Sequence, residues 1–134
     1  MLNTKKLLTK ILDAIKVDYV KAEGTSGSWK YREWNSGKYE CWYRATIDGG
    51  NSYAMTTSKG SLYVGAWKTV QYPITFAESP TTAVMCNLSN ENVIGIQAKE
   101  AFQASISLRG FASASLSTNS LTVQIYACGT KPSS

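Results

Sequence analysis

The chain has 134 residues, of which 43% are hydrophobic and 17% are charged, and it carries a formal net charge of +5. This length favours one domain, and the abundant glycine and tyrosine are typical of an all-β protein. Five of the 14 Lys and Arg lie in the first 21 residues and the others are scattered, which argues against a nucleic-acid partner. No segment approaches the roughly 20 apolar residues of a membrane span, so no membrane insertion is expected.

The first predicted element is an amphipathic helix over residues 3–16, inside a segment 1–17 that we assign to oligomerisation. Asn3 or Thr4 can cap it. Leu8 and Ile15 fall at heptad a positions and Ile11 at d, which favours a seam between copies of the chain. Two heptads are too few for a coiled coil that stands alone, but the helix could seed a bundle that a larger domain completes. Two alternatives stay open: a helix packed on its own domain, and a basic helix lying on a membrane surface.

Short strands separated by turn signals follow from Val17 onward. Their number predicts an antiparallel β-sandwich or jelly-roll-like head domain over residues 18–134. In "AFQASISL", residues 101–108, the apolar side chains alternate with polar ones and predict a strand with one buried face. "EGTSG", residues 23–27, reads as a turn. The predicted strands cover residues 17–22, 28–34, 38–46, 52–57, 61–67, 68–72, 82–88, 93–98, 101–108 and 120–128.

The stretch "WKYREWNSGKYECWYR", residues 29–44, predicts a hairpin. Its loop is "NSG", with Gly37 in the left-handed position of a type I turn and bulge, so Trp34 should pair with Lys38 and Arg32 with Glu40. One face then carries the side chains expected to point to the core: Trp29, Tyr31, Glu33, Tyr39, Cys41 and Tyr43. The other face carries Lys30, Arg32, Trp34, Lys38, Glu40, Trp42 and Arg44.

Trp34 and Trp42 lie on the face of the hairpin that is predicted to point away from the core. Two tryptophans outside the core suggest cover by a neighbouring subunit, so we assign both to an oligomer interface. The alternative is that they are platforms on which sugar rings stack.

The residues argue against an enzyme. Glu33 and Glu40 resemble a carboxylate pair, but the hairpin register sends them to opposite faces, so they cannot flank one glycosidic bond. The chain has no histidine, which removes the commonest general base and metal ligand. Three cysteines without a CxxC spacing argue against a zinc site, although one disulfide stays open. We therefore expect no catalytic residue, no metal and no cofactor.

Loops on a rigid sandwich are the usual place for a saccharide site, which needs an aromatic ring and converging polar groups. The loops "IDGGNSY" and "SNEN" and two residues near strand ends offer such groups. Each also has a plainer interpretation, because Asp and Asn make turns and Trp67 could fill the core. The candidate ligand-binding residues are Asp48, Asn51, Tyr53, Trp67, Asn90, Asn92 and Arg109.

The hairpin also carries a family resemblance. "GTSGSWKYREWNSGKYECWYR" resembles a W-x-Y-R-x-W-x-S-G-x-x-E-C-W signature in the C-terminal domains of phage tail fibre, baseplate and receptor-binding proteins, in phages and prophages of Gram-positive bacteria. "YPITFAESPTTAV", residues 72–84, resembles a second landmark of that family, and the N-terminal segment resembles the short helix that leads into such domains. The motif is matched by Trp29, Tyr31, Arg32, Trp34, Ser36, Gly37, Glu40, Cys41 and Trp42.

The resemblance implies a virion protein of the phage tail, made in the bacterial cytoplasm, with a β-sandwich head and a homotrimer assembled through the N-terminal helix. It implies other tail and baseplate proteins as partners, and a bacterial cell-surface polysaccharide as the ligand. One departure is that the chain begins at Met1 just before the helix, whereas larger tail fibres have a shaft and an attachment region upstream. Three functions therefore compete: a receptor-binding head, a structural trimerisation or capping module without a ligand, and a polysaccharide depolymerase.

Overall fold

The computed structural model describes residues 3–14, 17–48, 51–57, 60–88, 93–99, 102–113 and 120–133. Within these ranges one helix is followed by ten strands, in the order that the sequence predicts. The helix is α1 (Thr4–Ala14). The strands are β1 (Val20–Ser26), β2 (Trp29–Trp34), β3 (Lys38–Asp48), β4 (Asn51–Thr57), β5 (Gly60–Gly65), β6 (Lys68–Gln71), β7 (Thr81–Leu88), β8 (Val93–Ala98), β9 (Ser105–Ala112) and β10 (Ser120–Thr130).

The strands form two antiparallel sheets, which confirms the predicted β-sandwich. The first sheet has the order β1-β2-β3-β10-β7, and the second has the order β4-β5-β9-β6 with β8 also paired to β9. Strand β9 pairs with β6 through residues 105–108 and with β5 through residues 111 and 112. The short segment between β5 and β6, residues 66 and 67, therefore interrupts what is otherwise one ladder along β9.

The core lies between the sheets and follows from the alternation of the two central strands. In β10 every second residue from Leu121 to Ala127 is buried, and in β9 the same holds from Ile106 to Ala112. Phe76, from the connection between β6 and β7, fills the space between the sheets, where its ring packs edge-on against Tyr39 and Tyr72. The buried cluster consists of Trp29, Tyr39, Cys41, Val70, Tyr72, Phe76, Ile106, Leu108, Leu121, Val123, Ile125 and Ala127.

The hairpin of β2 and β3 has the predicted register. Arg32 pairs with Glu40, Tyr31 with Cys41, and Trp29 with Tyr43. Gly37 has a φ of +93°, and its N–H donates to the carbonyl of Trp34 at 3.0 Å. A φ in this range suits glycine because a side chain would clash with the backbone. The loop length and this glycine therefore set the register of the whole hairpin.

The hairpin loop also holds the segment that connects α1 to β1. The amide N–H of Tyr19 donates to Asn35 Oδ1 at 2.8 Å, and the N–H of Asn35 donates back to the carbonyl of Tyr19 at 2.9 Å. The hydroxyl of Ser36 donates to Asp18 Oδ2 at 2.9 Å. The sequence predicts Asn35 and Ser36 as turn residues, and in the structure their side chains also bind the segment that enters β1.

Two predicted strands, 17–22 and 101–108, are displaced by three to four residues, whereas the bounds of the other predicted strands differ from the structure by two residues or fewer. Residues 23–26 were predicted to lie in a turn, but they continue β1, because Gly24 pairs with Tyr31 and the turn shrinks to residues 27 and 28. Gly27, at the first position of that turn, has a φ of +58°. The predicted strand 101–108 is shifted toward the C-terminus: β9 runs from Ser105 to Ala112. Residues 102–105 turn instead, with the N–H of Phe102 bonded to the carbonyl of Ser105.

Helix α1 presents its apolar side chains to solvent in the single chain. Asn3 caps it, since Asn3 Oδ1 accepts the N–H of Lys6 at 2.8 Å. Leu8 is 55% exposed and Ile11 is 48% exposed, and no strand of the described chain packs against the helix. This geometry disfavours the alternative of a helix packed on its own domain. Ile15 lies outside the described residues. Among those described, no helix is long and apolar enough to cross a membrane.

Candidate ligand-binding surfaces

The outer surface of the first sheet is rich in aromatic and charged side chains. We call this surface the hairpin face, and define it by Lys30, Arg32, Trp34, Lys38, Glu40, Trp42, Arg44 and Tyr126. Strands β2 and β3 place their part of it by alternation, since the buried Trp29, Tyr39 and Cys41 occupy the opposite face. Strand β10 adds Tyr126, which pairs with Trp42 between the buried Ile125 and Ala127.

Glu40 is the polar centre of the hairpin face. Its Oε1 accepts the indole N–H of Trp34 at 2.7 Å, and its Oε2 accepts the hydroxyl of Tyr126 at 2.7 Å. Lys38 Nζ lies 3.7 Å from Oε1. Burial alone would raise the pKa of Glu40, but the hydrogen bonds from Tyr126 and Trp34, and then the charges of Lys38 and Arg32, leave that pKa below its ordinary value. The carboxylate is therefore ionised at neutral pH and holds both rings in place.

Trp42 is the open ring of this face, with 38% of its surface exposed. Its ring lies 5.7 Å from that of Tyr126, at 51°, and the guanidinium of Arg32 lies 5.7 Å from its centroid. A groove borders Trp42 on each side. The first has a volume of about 330 Å³ and is lined by Ser28, Lys30, Trp42, Tyr43, Arg44, Ala83, Met85, Gln124, Ile125 and Tyr126. The second has a volume of about 430 Å³ and is lined by Glu23, Gly24, Thr25, Lys30, Tyr31, Arg32 and Trp42.

A second aromatic cluster lies on the other sheet, and we call it the Trp67 cluster: Trp67, Gln97, Lys99 and Arg109. Trp67 lies in the interruption between β5 and β6 and is 38% exposed. The guanidinium of Arg109 lies 4.5 Å from the centroid of its ring, and Lys99 Nζ lies 5.8 Å from it. Arg109 Nε also donates to Gln97 Oε1 at 2.8 Å. The cluster is an aromatic ring flanked by two cations.

Among the predicted ligand-binding residues whose side chains the structure describes, Trp67 and Arg109 lie together. Because Trp67 is exposed, it does not fill the core. Asp48 ends β3 opposite Ser120 in the first sheet, so its backbone belongs to the other layer of the sandwich.

The backbones of Asn51 and Tyr53 lie in β4 opposite Gly65 and Val64. Asn90 and Asn92 lie outside the described residues.

Sequence reasoning missed three kinds of contributor to these surfaces. Alternation places Tyr126 between two inward-facing residues of "IYA" and so predicts an outward ring, but the pairing of β10 with β3 that brings it beside Trp42 has no local signal. Lys99 and Gln97 join Trp67 only through the pairing of β8 with β9, for which the sequence has no signal. Met85 borders the first groove because β7 pairs with β10, a long-range pairing that the sequence does not encode locally.

The two carboxylates of the hairpin lie on opposite faces, as the register predicts. Glu33 is buried against Lys131, whose Nζ donates to its Oε1 at 2.8 Å, and Lys21 lies 3.5 Å away. The hydrogen bond from Lys131 is the main cause that lowers the pKa of Glu33. A general acid needs a raised pKa, so neither carboxylate fits that role. Among the described residues, no group of three or more His, Cys, Asp and Glu could hold a metal ion.

The three cysteines are free thiols in strands β3, β7 and β10. Burial raises the pKa of Cys41 to about 12, so its thiol stays protonated. A protonated, buried thiol is a poor nucleophile, and Cys41 acts as a small apolar residue of the core.

The chain matches no protein-family model and no curated protein in sequence. Two solved structures are similar in fold. One is the R1 pyocin fibre of P. aeruginosa, in a form comprising its C-terminal residues: the TM-score is 0.58 and the identity 9%, over 96% of this chain and 32% of that chain. The other is an N-truncated R1-type pyocin tail fibre, with a TM-score of 0.58 and 10% identity, over 96% of this chain and 98% of that chain. The chain thus spans about a third of the first structure, and at these identities the likeness concerns the fold.

Proposed function

We propose that the chain is a receptor-binding head domain of a phage-type tail, which assembles as a homotrimer and adheres to a saccharide on the surface of the host bacterium. The observation that carries the proposal is the fold similarity to pyocin tail fibres over 96% of this chain. The resemblance of residues 29–42 to the signature of phage tail fibre, baseplate and receptor-binding proteins also supports it. In this role the chain is a component of the virion tail, and other tail or baseplate proteins are its partners.

The exposed stripe on α1 supports the trimer. Leu8 and Ile11 are about half exposed in the single chain, and burying such side chains in a seam stabilises an assembly. We expect light scattering to give three times 14.6 kDa for the native chain. Leu8→Asp together with Ile11→Asp should lower this mass, whereas Lys10→Asp, which introduces the same residue elsewhere on the helix, should not. A native mass of one chain would refute the trimer.

The two exposed indoles support saccharide adhesion, because sugar sites combine an aromatic ring with a few converging polar groups. The test is retention of the intact assembly on purified cell-wall polysaccharide from a panel of bacteria. We expect Trp67→Ala and Trp42→Ala to reduce retention. Phe102→Ala is the matched control, because Phe102 is an exposed ring that belongs to neither surface. Three weak sites on one assembly gain avidity, so the assay must use the trimer.

A purely structural trimerisation or capping module is the second candidate. The observation that favours it is that the indole N–H of Trp34 is already bonded inside the chain, to Glu40, and so offers nothing to a ligand. A native trimer that no polysaccharide retains, with Trp42 shielded from a soluble quencher such as acrylamide, would favour this candidate. Retention that the tryptophan substitutions reduce would exclude it.

A further inference from the structure

The grooves beside Trp42 differ from a generic sheet surface in their charge. Lys30 and Arg44 line the first groove, and no acidic residue is among the described residues that line it. Lys30 and Arg32 line the second, where Glu23 is the one carboxylate, with its Oε2 at 3.5 Å from Arg32 Nε. Trp42 separates the two grooves and lines both. A ligand that covers this ring therefore meets cations on both sides.

The two cations of the first groove, Lys30 and Arg44, do not contribute ion pairs to the fold among the described residues. Within the described part of the chain, neither Lys30 nor Arg44 makes an ion pair or a side-chain hydrogen bond. By contrast, Lys21 and Lys131 form ion pairs with Glu33, and Lys38 forms an ion pair with Glu40. Neither cation therefore contributes an ion pair to the stability of the fold. Two such cations beside an exposed indole provide charge complementarity for an anion.

The walls of the first groove suit a ring-shaped ligand. Trp42 and Tyr126 supply two tilted aromatic surfaces, and Glu40 restrains Tyr126 through its hydroxyl. Across the groove, Met85 on the edge strand β7 is 63% exposed and can adapt its shape to an apolar face. Gln124 adds an amide that can both donate and accept hydrogen bonds. Rings held in place before binding lose less entropy when a ligand arrives.

We infer that the hairpin face is a binding site for an anionic saccharide, whose sugar ring stacks on Trp42 while its acidic group lies between Lys30 and Arg44. This inference rests on the proposed function and names the ligand class and the site. It replaces the assignment of Trp42 to an oligomer interface, and it places the site on a sheet face rather than on the loops between strands. The Trp67 cluster then serves as an internal comparison within the same molecule.

The test is a titration of the intact, ¹⁵N-labelled assembly, followed through the indole N–H signals of its four tryptophans. Replacing each tryptophan by phenylalanine in turn assigns the signals. The carboxylate probe is trigalacturonate, and its methyl ester is the neutral match. The phosphate probe is glucose 6-phosphate, and glucose is the neutral match. The indole signal that shifts identifies the location of the site, and the titration curve gives the affinity separately.

We expect trigalacturonate or glucose 6-phosphate to shift the Trp42 signal, and the neutral match to bind more weakly. Lys30→Gln and Arg44→Gln should each weaken the anionic probe about two- to fivefold, the effect of one exposed ion pair, and leave the neutral probe unchanged. Lys68→Gln, which removes an exposed cation from the other sheet, should change neither. Which of the two anions responds identifies the acidic group.

Three results would overturn the inference. The first is equal affinity for the anionic and neutral probes. The second is a response confined to Trp67, which would leave the proposed function intact and move the site to the other sheet. The third is no response at Trp42 together with a smaller assembly for Trp42→Ala, which would show that a second copy of the chain covers the ring. Failure of the proposed function is distinct, because the native assembly would then also fail to adhere to every polysaccharide in the panel.

Discussion

The two faces of the hairpin use the same amino acids for different purposes. On the inner face, Trp29 is 5% exposed, and its indole N–H donates to the carbonyl of Gln71 at 2.8 Å, which joins the first sheet to β6 of the second. On the outer face, the indole N–H of Trp34 donates to Glu40 within the hairpin. Trp42, further along the same face, is 38% exposed.

The partner of an aromatic ring, rather than its type, therefore determines what the ring does. An inner ring that joins two sheets stabilises the fold, whereas an outer ring held by its own hairpin leaves a surface for a ligand. Substitutions on the two faces should therefore differ first in stability and then in binding. The variants must be compared at a fixed protein concentration, because assembly also affects stability.

The largest expected effect is that of Trp29→Ala. This substitution removes a ring that packs against Tyr43 at 5.0 Å and Tyr72 at 5.7 Å, and it leaves the carbonyl of Gln71 without its partner. We expect the free energy of unfolding to fall by about 3–5 kcal/mol, measured by urea denaturation. Trp42→Ala on the outer face should cost less than about 1 kcal/mol. Equal costs for the two variants would contradict the distinction between the faces.

A smaller effect is expected where β10 approaches the core beside the hairpin. A Cβ at Gly129 would lie 2.7 Å from Phe76 Cδ1 and 3.3 Å from Pro80 Cβ, and both neighbours are buried. Gly129→Ala should therefore lower the free energy of unfolding by about 1–3 kcal/mol through overpacking, seen as a lower midpoint in urea.

Gly24→Ala is the matched control for that overpacking. Gly24 lies on the edge strand β1, and a Cβ there would lie 2.9 Å from the hydroxyl oxygen of Tyr31. This oxygen is at the end of the tyrosine side chain, which can move away. We expect a loss below about 1 kcal/mol, as for most exposed substitutions. If Gly24→Ala lowered the free energy of unfolding more than Gly129→Ala, the interior near Gly129 would be less tightly packed than the distances indicate.

Glu40→Gln tests the polar centre of the hairpin face. The pKa of Glu40 in the folded chain lies below its ordinary value of 4.5, so the ionised form stabilises the fold, and this contribution is present above pH 4.5. The loss should be about 1–2 kcal/mol at neutral pH, because two short hydrogen bonds to a carboxylate are weakened. As the pH falls below 4.5, the native chain protonates Glu40 and the difference between native and variant should shrink.

The control for that pH dependence is Glu78→Gln, which removes an exposed carboxylate that has no ion pair among the described residues. It should leave stability nearly unchanged at every pH. A difference between the native chain and Glu40→Gln that stays constant from neutral pH to about pH 3 would show that Glu40 does not act through its charge.

The local part of this structure could be predicted from the sequence, and the hairpin shows why. A loop of three residues with Gly37 in the left-handed region fixes the register, and alternation then assigns every side chain of β2 and β3 to a face. The sandwich follows in the same way from the number of alternating strands. Asn3 as the helix cap could also be predicted, because its side chain acts only three residues away.

The remainder depends on pairings that the sequence does not encode locally. Residues 23–26 have the composition of a turn, but pairing with β2 makes them a strand. Trp67 and Arg109 were both singled out from the sequence. Their stacking, however, arises because the break between β5 and β6 falls beside β9. The first groove beside Trp42 needs β7 next to β10, a long-range pairing that depends on the whole fold.

The smallest expected effect concerns the cation over Trp34. Lys38 Nζ lies 4.9 Å from the centroid of this ring and 3.7 Å from Glu40 Oε1, and its side chain is 44% exposed. Lys38→Met keeps most of the apolar length and removes the charge, so we expect a loss of about 0.5–1 kcal/mol. A double-mutant cycle with Trp34→Leu, which removes the ring, should assign only part of this loss to the ring, because Glu40 interacts with the same ammonium group. Raising the salt concentration should reduce the loss, since exposed charges are screened. A coupling above about 2 kcal/mol that does not change with salt would mean that the outer face is shielded from water, as it would be between subunits.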